Sequence, residues 1–310
     1  MPRTLSLSWL DYPPDDLTGG AVCIGNFDGV HPGHRALIQQ ARSLRQPTVS
    51  MTFDPPPARI LGGEPLPPPL TTLTDRVQLL TDAGADAIVF LQTTPELLAL
   101  NPEAFFEEIL QRRFRASVIV EGFNFRFGRA REGTNDILHR LAAEAGIGFQ
   151  VVPPVMDNAE PISSSRIRAA LLSGNVLAAN RFLDRRYHLQ GRVVVGQQRG
   201  RTLGIPTANL AEVETLLPAE GVYIVIAQLP DGQRFGAAAN IGPNPTFGED
   251  TRKIEVHLLD FSGDLYGERL RVEFVQRLRA TQPFTGVPAL IAQLQRDLQA
   301  TRDYFTEYAP

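Results

Sequence analysis

Over its first half the chain alternates short apolar runs with amphipathic helical patterns, and then the alternation stops. That change of rhythm constrains the fold more than any other feature. Strand patterns occupy residues 21–25, 47–53, 87–91, 117–121 and 148–152, with helical patterns at 32–45, 73–83, 102–113 and 135–145 between them. In the first helical pattern Leu37, Ile38, Ala41 and Leu44 recur at the spacing of one helix face. A βαβα succession implies an α/β domain, a parallel sheet covered by helices, with ligands at the carboxyl ends of its strands. Two short helices are expected at 164–172 and 176–183. Beyond them, strand patterns at 187–195, 222–228, 235–240, 253–260 and 269–275 follow one another with turns and no helix between. This predicts antiparallel pairing into a small barrel or sandwich. A terminal helix over 287–305 would carry Leu290, Ile291, Leu294 and Leu298 on one face. With 310 residues the chain has room for two domains. The boundary is placed near Asp184, giving domains of residues 1–183 and 184–310.

Composition narrows the function classes. Charged residues make up 21% of the chain and the net charge is -4, which argues against a protein built to coat nucleic acid. It leaves room for a local basic pocket that takes a phosphorylated small molecule. Cys23 is the only cysteine, so no internal disulfide can form, as suits a reducing compartment. The first twenty residues contain Asp11, Pro13, Pro14, Asp15 and Asp16 and no apolar core of signal-peptide length. The longest apolar stretches, such as 221–229, are too short to span a bilayer. The expectation is a soluble, cytoplasmic protein without nucleic-acid or membrane partners. Its oligomeric state is not legible.

The segment G-N-F-D-G-V-H-P-G-H, residues 25–34, lies between a strand and a helix. His31 and His34 are three apart and share a face at the helix N-terminus, where unpaired backbone N–H groups favour an anion. Gly25, Gly29 and Gly33 would let a phosphate approach the backbone. Histidine can donate to phosphate oxygens as charge builds in a transition state. Metal binding, or a plain turn with a capping histidine, is the alternative for either residue alone. Further on, Arg126, Arg129 and Arg131 create a local positive field, although each alone suits a solvated loop. Phe123, Phe125 and Phe127 fit either ring stacking or the end of a strand in the core.

The motif G-x-F-D-G-x-H-x-G-H resembles the signature of the HxGH nucleotidyltransferase superfamily, in its FAD synthetase branch. T-F-D-P-P-P at 52–57 is similar to that branch's F-x-P-H-P loop, with Pro56 where the family often has histidine. E-G-F-N-F-R-F-G-R-A-R-E-G at 121–133 resembles its G-x-D/N-F-x-F-G-x-x-R-x-G segment, with Asn124 at the Asp/Asn position. I-S-S-S-R-I-R at 162–168 resembles I-S-S-T-x-I-R, and Ser165 keeps the hydroxyl of the threonine it replaces. The resemblance implies a Rossmann-like domain that adenylylates FMN with ATP. It assigns catalytic roles to His31, His34, Asn124 and Arg168. It assigns ATP and phosphate contacts to Gly25, Phe27, Asp28, Gly29, Gly33, Arg131, Ser163, Ser164 and Ser165. Asp28 either touches a metal or braces the loop.

A second glycine-rich stretch, G-R-V-V-V-G-Q-Q-R-G-R-T-L-G-I-P-T-A-N-L, spans 191–210. Gly196, Gly200 and Gly204 offer backbone N–H groups to phosphate, or mark hairpins and bulges. Thr207 and Asn209 carry hard oxygen donors suited to Mg²⁺. There is no G-x-x-x-x-G-K-[ST] P-loop. Along 253–260 the alternation sets Ile254, Val256 and Leu258 on one face and Lys253, Glu255 and His257 on the other. By residues alone, Glu255 fits a solvated strand face beside a lysine. G-x-x-L-G-I-P-T-A-N resembles the riboflavin kinase signature. A-N-I-G-P-N-P-T-F at 239–247 and E-V-H-L-L-D-F-S-G-D-L-Y-G at 255–267 resemble two further motifs of that family. This implies Mg²⁺ at Thr207 and Asn209, ATP phosphates on the glycine loop, and Glu255 as the base for the riboflavin 5′-hydroxyl. Arg279 and Phe284 become flavin contacts, and Asp297 is a weaker match.

Taken over residues 21–305, the resemblance is to the prokaryotic bifunctional riboflavin kinase/FAD synthetase family. It implies Mg²⁺ as cofactor, and ATP, riboflavin, FMN and FAD as substrates or products. Two alternatives stand beside it: another HxGH adenylyl- or cytidylyltransferase, and a flavin-binding regulatory or carrier protein with a decayed first site.

Overall fold

A computed structural model describes residues 3–62, 66–197, 200, 204–244 and 249–309, with backbone only at 244 and 249–251. The chain divides into two compact units, Met1–Pro67 with Thr71–Ser164, and Pro68–Leu70 with Ser165–Pro310.

The first unit holds a six-stranded sheet: β1 (Arg3–Leu7), β2 (Ala21–Ile24), β3 (Thr48–Asp54), β4 (Ala87–Gln92), β5 (Val118–Gly122) and β6 (Gly148–Val152). Its order is β1-β4-β3-β2-β5-β6, and every pairing is parallel. The expected strands and helices are present, and an unforeseen edge strand, β1, adds to them. Alternation along β2 feeds two cores. Val22 and Ile24 pack on one sheet face with Val49, Met51 and Ile109, and Ala21 and Cys23 pack on the other with Ile38, Ala41 and Leu80. Both faces are therefore buried, which is why these strands read as continuous apolar runs.

Helix α1 (Pro32–Leu44) buries Leu37, Ile38 and Ala41. Leu44, in its last turn, is 46% exposed, so the buried face ends a turn earlier than the spacing suggests. Four further helices are α2 (Pro57–Leu61), α3 (Leu73–Asp82), α4 (Pro95–Ala99) and α5 (Pro102–Phe105). The helix expected over 102–113 changes character after α5: Phe106–Arg113 winds as a wider π-helical segment. Its end is fixed by the Arg113 guanidinium, which donates to the Glu108 carbonyl and carboxylate. Helix α6 (Asn135–Glu144), N-capped by the Thr134 hydroxyl, precedes β6. A two-stranded ribbon, β7 (Met156–Asp157) and β8 (Glu160–Pro161), ends the unit.

Helices α7 (Ser164–Leu172) and α8 (Val176–Leu183) lead into a closed barrel. Its strands are β9 (His188–Val194), β10 (Ala208–Ala211), β11 (Gly221–Gln228), β12 (Arg234–Asn244), β13 (Glu249–Leu258) and β14 (Arg269–Arg279). The order β10-β13-β12-β11-β14-β9 closes on itself, with β9 pairing β10. Strand β10 falls inside the glycine-rich stretch and carries no alternation strong enough to predict it. Inside the barrel Tyr223, Ala239 and Val256 stand in register and are fully buried. Helix α9 (Val287–Glu307) lays Tyr304 and Phe305 on Ile224, Ile226 and Val275. Gly236 permits this approach, since a Cβ there would lie 2.4 Å from the Phe305 ring. The expected apolar face of α9 is only half-buried; its most buried residues are Asp297 and Thr301.

Candidate active sites

The first site forms where β2 ends. Strand order reverses at β2, with β3, β4 and β1 to one side and β5 and β6 to the other. Loops at the carboxyl ends of β2 and β5 therefore border the crevice that open parallel sheets use for ligands. The first loop is strained: Phe27 (φ 47), Gly29 (φ 81) and Val30 (φ 36) all adopt left-handed backbone. For a β-branched residue this is an outlier. Phe27 and Val30 are fully buried, so core packing imposes a shape that the backbone alone disfavours.

The loop then presents two imidazoles. His31 is the N-cap residue of α1, Pro32 opens the helix, and the His31 and His34 rings stack with centroids 3.7 Å apart and planes 22° from parallel. The Phe27 ring meets His34 edge-on at 5.3 Å. Gly25 and Gly33 make room for these rings. A Cβ on Gly25 would sit 3.3 Å from Phe27, and one on Gly33 would sit 3.1 Å from His31 Cε1. Asp28 points inward. Its Oδ1 accepts from the Thr71 amide (3.3 Å), the Thr71 hydroxyl (3.4 Å) and Arg76 (3.3 Å). Gly29 N donates to the Thr71 hydroxyl, and the Ser164 hydroxyl donates to the Asp28 carbonyl at 2.8 Å. The Asp28 carboxylate thus braces the turn against the start of α3.

After β5 the chain carries Asn124, Arg126, Arg129 and Arg131, all exposed. Arg129 pairs with Glu132, while Arg126 and Arg131 make no ion pair among the described residues. Ala130 (φ 50) and Arg131 (φ 62) are again left-handed. The alternating aromatics divide: Phe127 is buried against Phe105 and Phe125, and Phe123 is 47% exposed. Pro56 precedes α2, in which Pro57 takes the first position. Ser163 and Ser164 close the first unit, whereas Ser165 and Arg168 fall in the second, on α7.

The second site is assembled by strand register. Asn209 on β10 faces Glu255 on β13, and Glu255 faces Asn240 on β12. The row continues to Val194 on β9, and through Val222 on β11 to Arg279 on β14. Directly opposed residues share a sheet face. Val222 shares its face with Ile224 and Ile226, which α9 covers, so the row lies on the outer surface of the barrel. One half-turn of the pleat away, Ile254, Val256 and Leu258 are buried. Asn240 carries no sequence signal beyond its place in A-N-I-G, and only the register makes it a neighbour of Glu255.

Glycines shape this site too. A Cβ on Gly196 would lie 2.4 Å from Asn209 Nδ2, and one on Gly200 would lie 2.3 Å from the Ile205 carbonyl and 3.4 Å from the Thr207 hydroxyl. The two oxygen donors expected to hold a metal thus each rest against a glycine that leaves them space. His257 Nδ1 lies 2.7 Å from the Pro206 carbonyl; since that oxygen only accepts, Nδ1 carries the proton. A cleft of about 360 Å³ is lined in part by Gly196, Asn209, Arg252 and Lys253. At the far end of the row, Arg279 donates to both oxygens of Asp297 (2.8–3.1 Å) and lies 5.7 Å over the Phe284 ring. Among the described residues, nothing lies within 4 Å of a Cβ placed on Gly204 (φ 76). Thr246 and Phe247 of the A-N-I-G-P-N-P-T-F motif lie outside the described residues.

Comparison with known proteins covers both sites. The FAD synthetase family matches residues 14–166, and the riboflavin kinase family matches residues 183–305. The bifunctional riboflavin kinase/FMN adenylyltransferase of Escherichia coli K12 is 34% identical over 291 residues, 93% of each chain. The enzyme of the same description from Listeria monocytogenes is 35% identical over 293 residues, 92% of each chain. The chain belongs to the bifunctional riboflavin kinase/FMN adenylyltransferase family. It phosphorylates riboflavin to FMN with ATP, then adenylylates FMN with ATP to give FAD and pyrophosphate. A Streptococcus pneumoniae crystal structure described as a macrolide-efflux protein shares the fold, with TM-score 0.84, 33% identity, and coverage of 96% of this chain and 98% of that one. Among the described residues no helix is long and apolar enough to cross a membrane.

Proposed function

We propose that the two reactions are divided between residues 184–310, which make FMN, and residues 1–183, which make FAD, and that the residues named above carry them. The observation that supports this most is the direct cross-strand opposition of Asn209 and Glu255. It places a candidate metal-binding amide beside a candidate base, as phosphoryl transfer to an alcohol requires.

In the kinase reaction Glu255 accepts the proton of the riboflavin 5′-hydroxyl as that oxygen attacks the γ-phosphorus of ATP and ADP leaves. Thr207 and Asn209 hold Mg²⁺, for which a hydroxyl and an amide carbonyl are suitable hard donors. The ion, when bound, neutralises charge on the phosphates. The backbone around Gly196, Gly200 and Gly204 takes the phosphates. Asn240, the other neighbour of Glu255, orients its carboxylate or the incoming hydroxyl. Arg279, held by Asp297, and Phe284 take the flavin.

In the adenylyl transfer the phosphate of FMN attacks the α-phosphorus of ATP, and pyrophosphate leaves. The nucleophile is already anionic, so positioning and charge neutralisation supply the rate and no strong base is needed. His31 and His34 donate to the phosphate oxygens. Asn124, Arg131, Ser163 and Ser164 complete the contacts, while Gly25, Phe27, Asp28, Gly29 and Gly33 shape the loop. The test is to incubate the protein with riboflavin, ATP and Mg²⁺ and resolve riboflavin, FMN and FAD by chromatography. The expected course is FMN followed by FAD. FMN without FAD would confine the reading to the barrel, and neither product would end it.

A further inference from the structure

One buried acid takes no part in the chemistry above. Glu121, on β5, is completely buried, and its Oε1 accepts the Ile24 amide at 2.8 Å. Its other oxygen, Oε2, is enclosed and meets no hydrogen-bond partner among the described residues.

The reason for this contact lies in the sheet. β2 and β5 pair at Ala21↔Val118 and Val22↔Ile119, and there the ladder between them ends. On its other edge β2 stays paired with β3 through Ile24↔Met51, and Gly25 N still donates to the Met51 carbonyl at 3.0 Å. β5 likewise stays paired with β6 through Gly122↔Val152. The two central strands therefore part at the point where strand order reverses. Ile24, the last residue of β2, turns its amide toward β5 and meets the Glu121 side chain instead of a backbone carbonyl. A buried amide left without an acceptor would cost its full desolvation penalty. The next residue, Gly25, begins the strained turn that presents His31 and His34.

We propose that Glu121 is a positioning residue for adenylyl transfer: its side chain replaces the missing ladder carbonyl and so fixes where β2 releases the 25–34 turn. This rests on the assignment of FMN adenylylation to that turn. Burial pushes the Glu121 carboxyl well above the usual carboxylate range, with the Ile24 hydrogen bond opposing it only in part. Burial thus favours the uncharged form, whose oxygen can accept the Ile24 amide as the carbonyl of glutamine would.

The test uses the full chain with FMN and ATP supplied, and compares Glu121→Gln, Glu121→Leu and His31→Ala. Leucine fills the space without an acceptor. Glu121→Gln is expected to keep kcat within about threefold of the parent, whereas Glu121→Leu lowers it at least about tenfold with KM for FMN little changed, as misplacement of reacting groups does. Riboflavin phosphorylation by the same preparations stays at the parent level. The fluorescence of Trp9, the chain's one tryptophan, reports folding of the first unit, against whose core it packs. A Glu121→Leu enzyme with parent kcat overturns the proposal. So does a Glu121→Gln enzyme as slow as the leucine variant, because the side chain would then be acting as an anion. If His31→Ala keeps full adenylylation, it is the assignment of the turn that fails.

Discussion

The two candidate sites are built in opposite ways. Ten consecutive residues, 25–34, carry the first site's rings, its bracing carboxylate and its glycines, and their arrangement is enforced from below by the buried Phe27 and Val30. The second draws Asn209, Glu255, Asn240 and Arg279 from four strands, and pairing alone brings them into one row. A contiguous site stores its geometry in a strained loop; a register site stores it in the sheet. The first should fail when the loop's supports are cut, and the second when one row member is lost or pushed aside.

The largest effect expected is at the register site. Glu255→Gln should lower riboflavin phosphorylation by about 10²–10⁴-fold, the range for loss of a general base. Adenylylation of supplied FMN should be unchanged. Retained kinase turnover would place the base elsewhere. In the contiguous site, His31→Ala should slow FAD formation by about 10²–10³-fold, as loss of a transition-state donor does, and leave FMN formation intact. Equal loss of both activities in a folded protein would refute the separation of the sites.

A smaller, more local effect tests how the row depends on its glycine. Gly196→Ala puts a Cβ where the Asn209 amide now sits and must displace it. The kinase should need about tenfold more Mg²⁺ for half-maximal rate, in line with the loss of a group that supports a metal ligand. An unchanged Mg²⁺ titration would remove Asn209 from the metal site.

The smallest effect sharpens the comparison from the stability side. The native Glu121 carboxyl holds its proton to higher pH than it does in the unfolded chain. Stability from this group is therefore complete below the unfolded pKa and is lost as pH rises toward the raised native value. Urea unfolding followed by Trp9 fluorescence should show the first unit weakening as pH rises above the ordinary carboxylate range. Glu121→Gln should flatten that slope. Burial also pushes the neighbouring Cys23 thiol well above its ordinary range, with the Glu121 charge, once formed, adding to it.

The division of labour between sequence and tertiary structure follows the same line. Alternating strand and helix patterns were enough to predict the parallel sheet, the later run of strands and the terminal helix, because side-chain periodicity reports which faces must leave water. The 25–34 segment and the Glu255 strand face were legible for the same reason: their information lies in neighbouring residues. Strand β10 was not, since its four residues are short and interrupted by polar Asn209. Nor was the buried centre of α9, where Asp297 is held by Arg279 from strand β14 rather than by any apolar neighbour in sequence. The inward role of Asp28 needed Thr71 and Arg76, more than forty positions away. The sequence by itself determined most of the elements and supplied the residue types proposed to carry the chemistry. Only the tertiary structure decided that Asn240 stands beside Glu255 and that Glu121 meets Ile24, because strand register and strand splay depend on pairing between segments far apart in the chain.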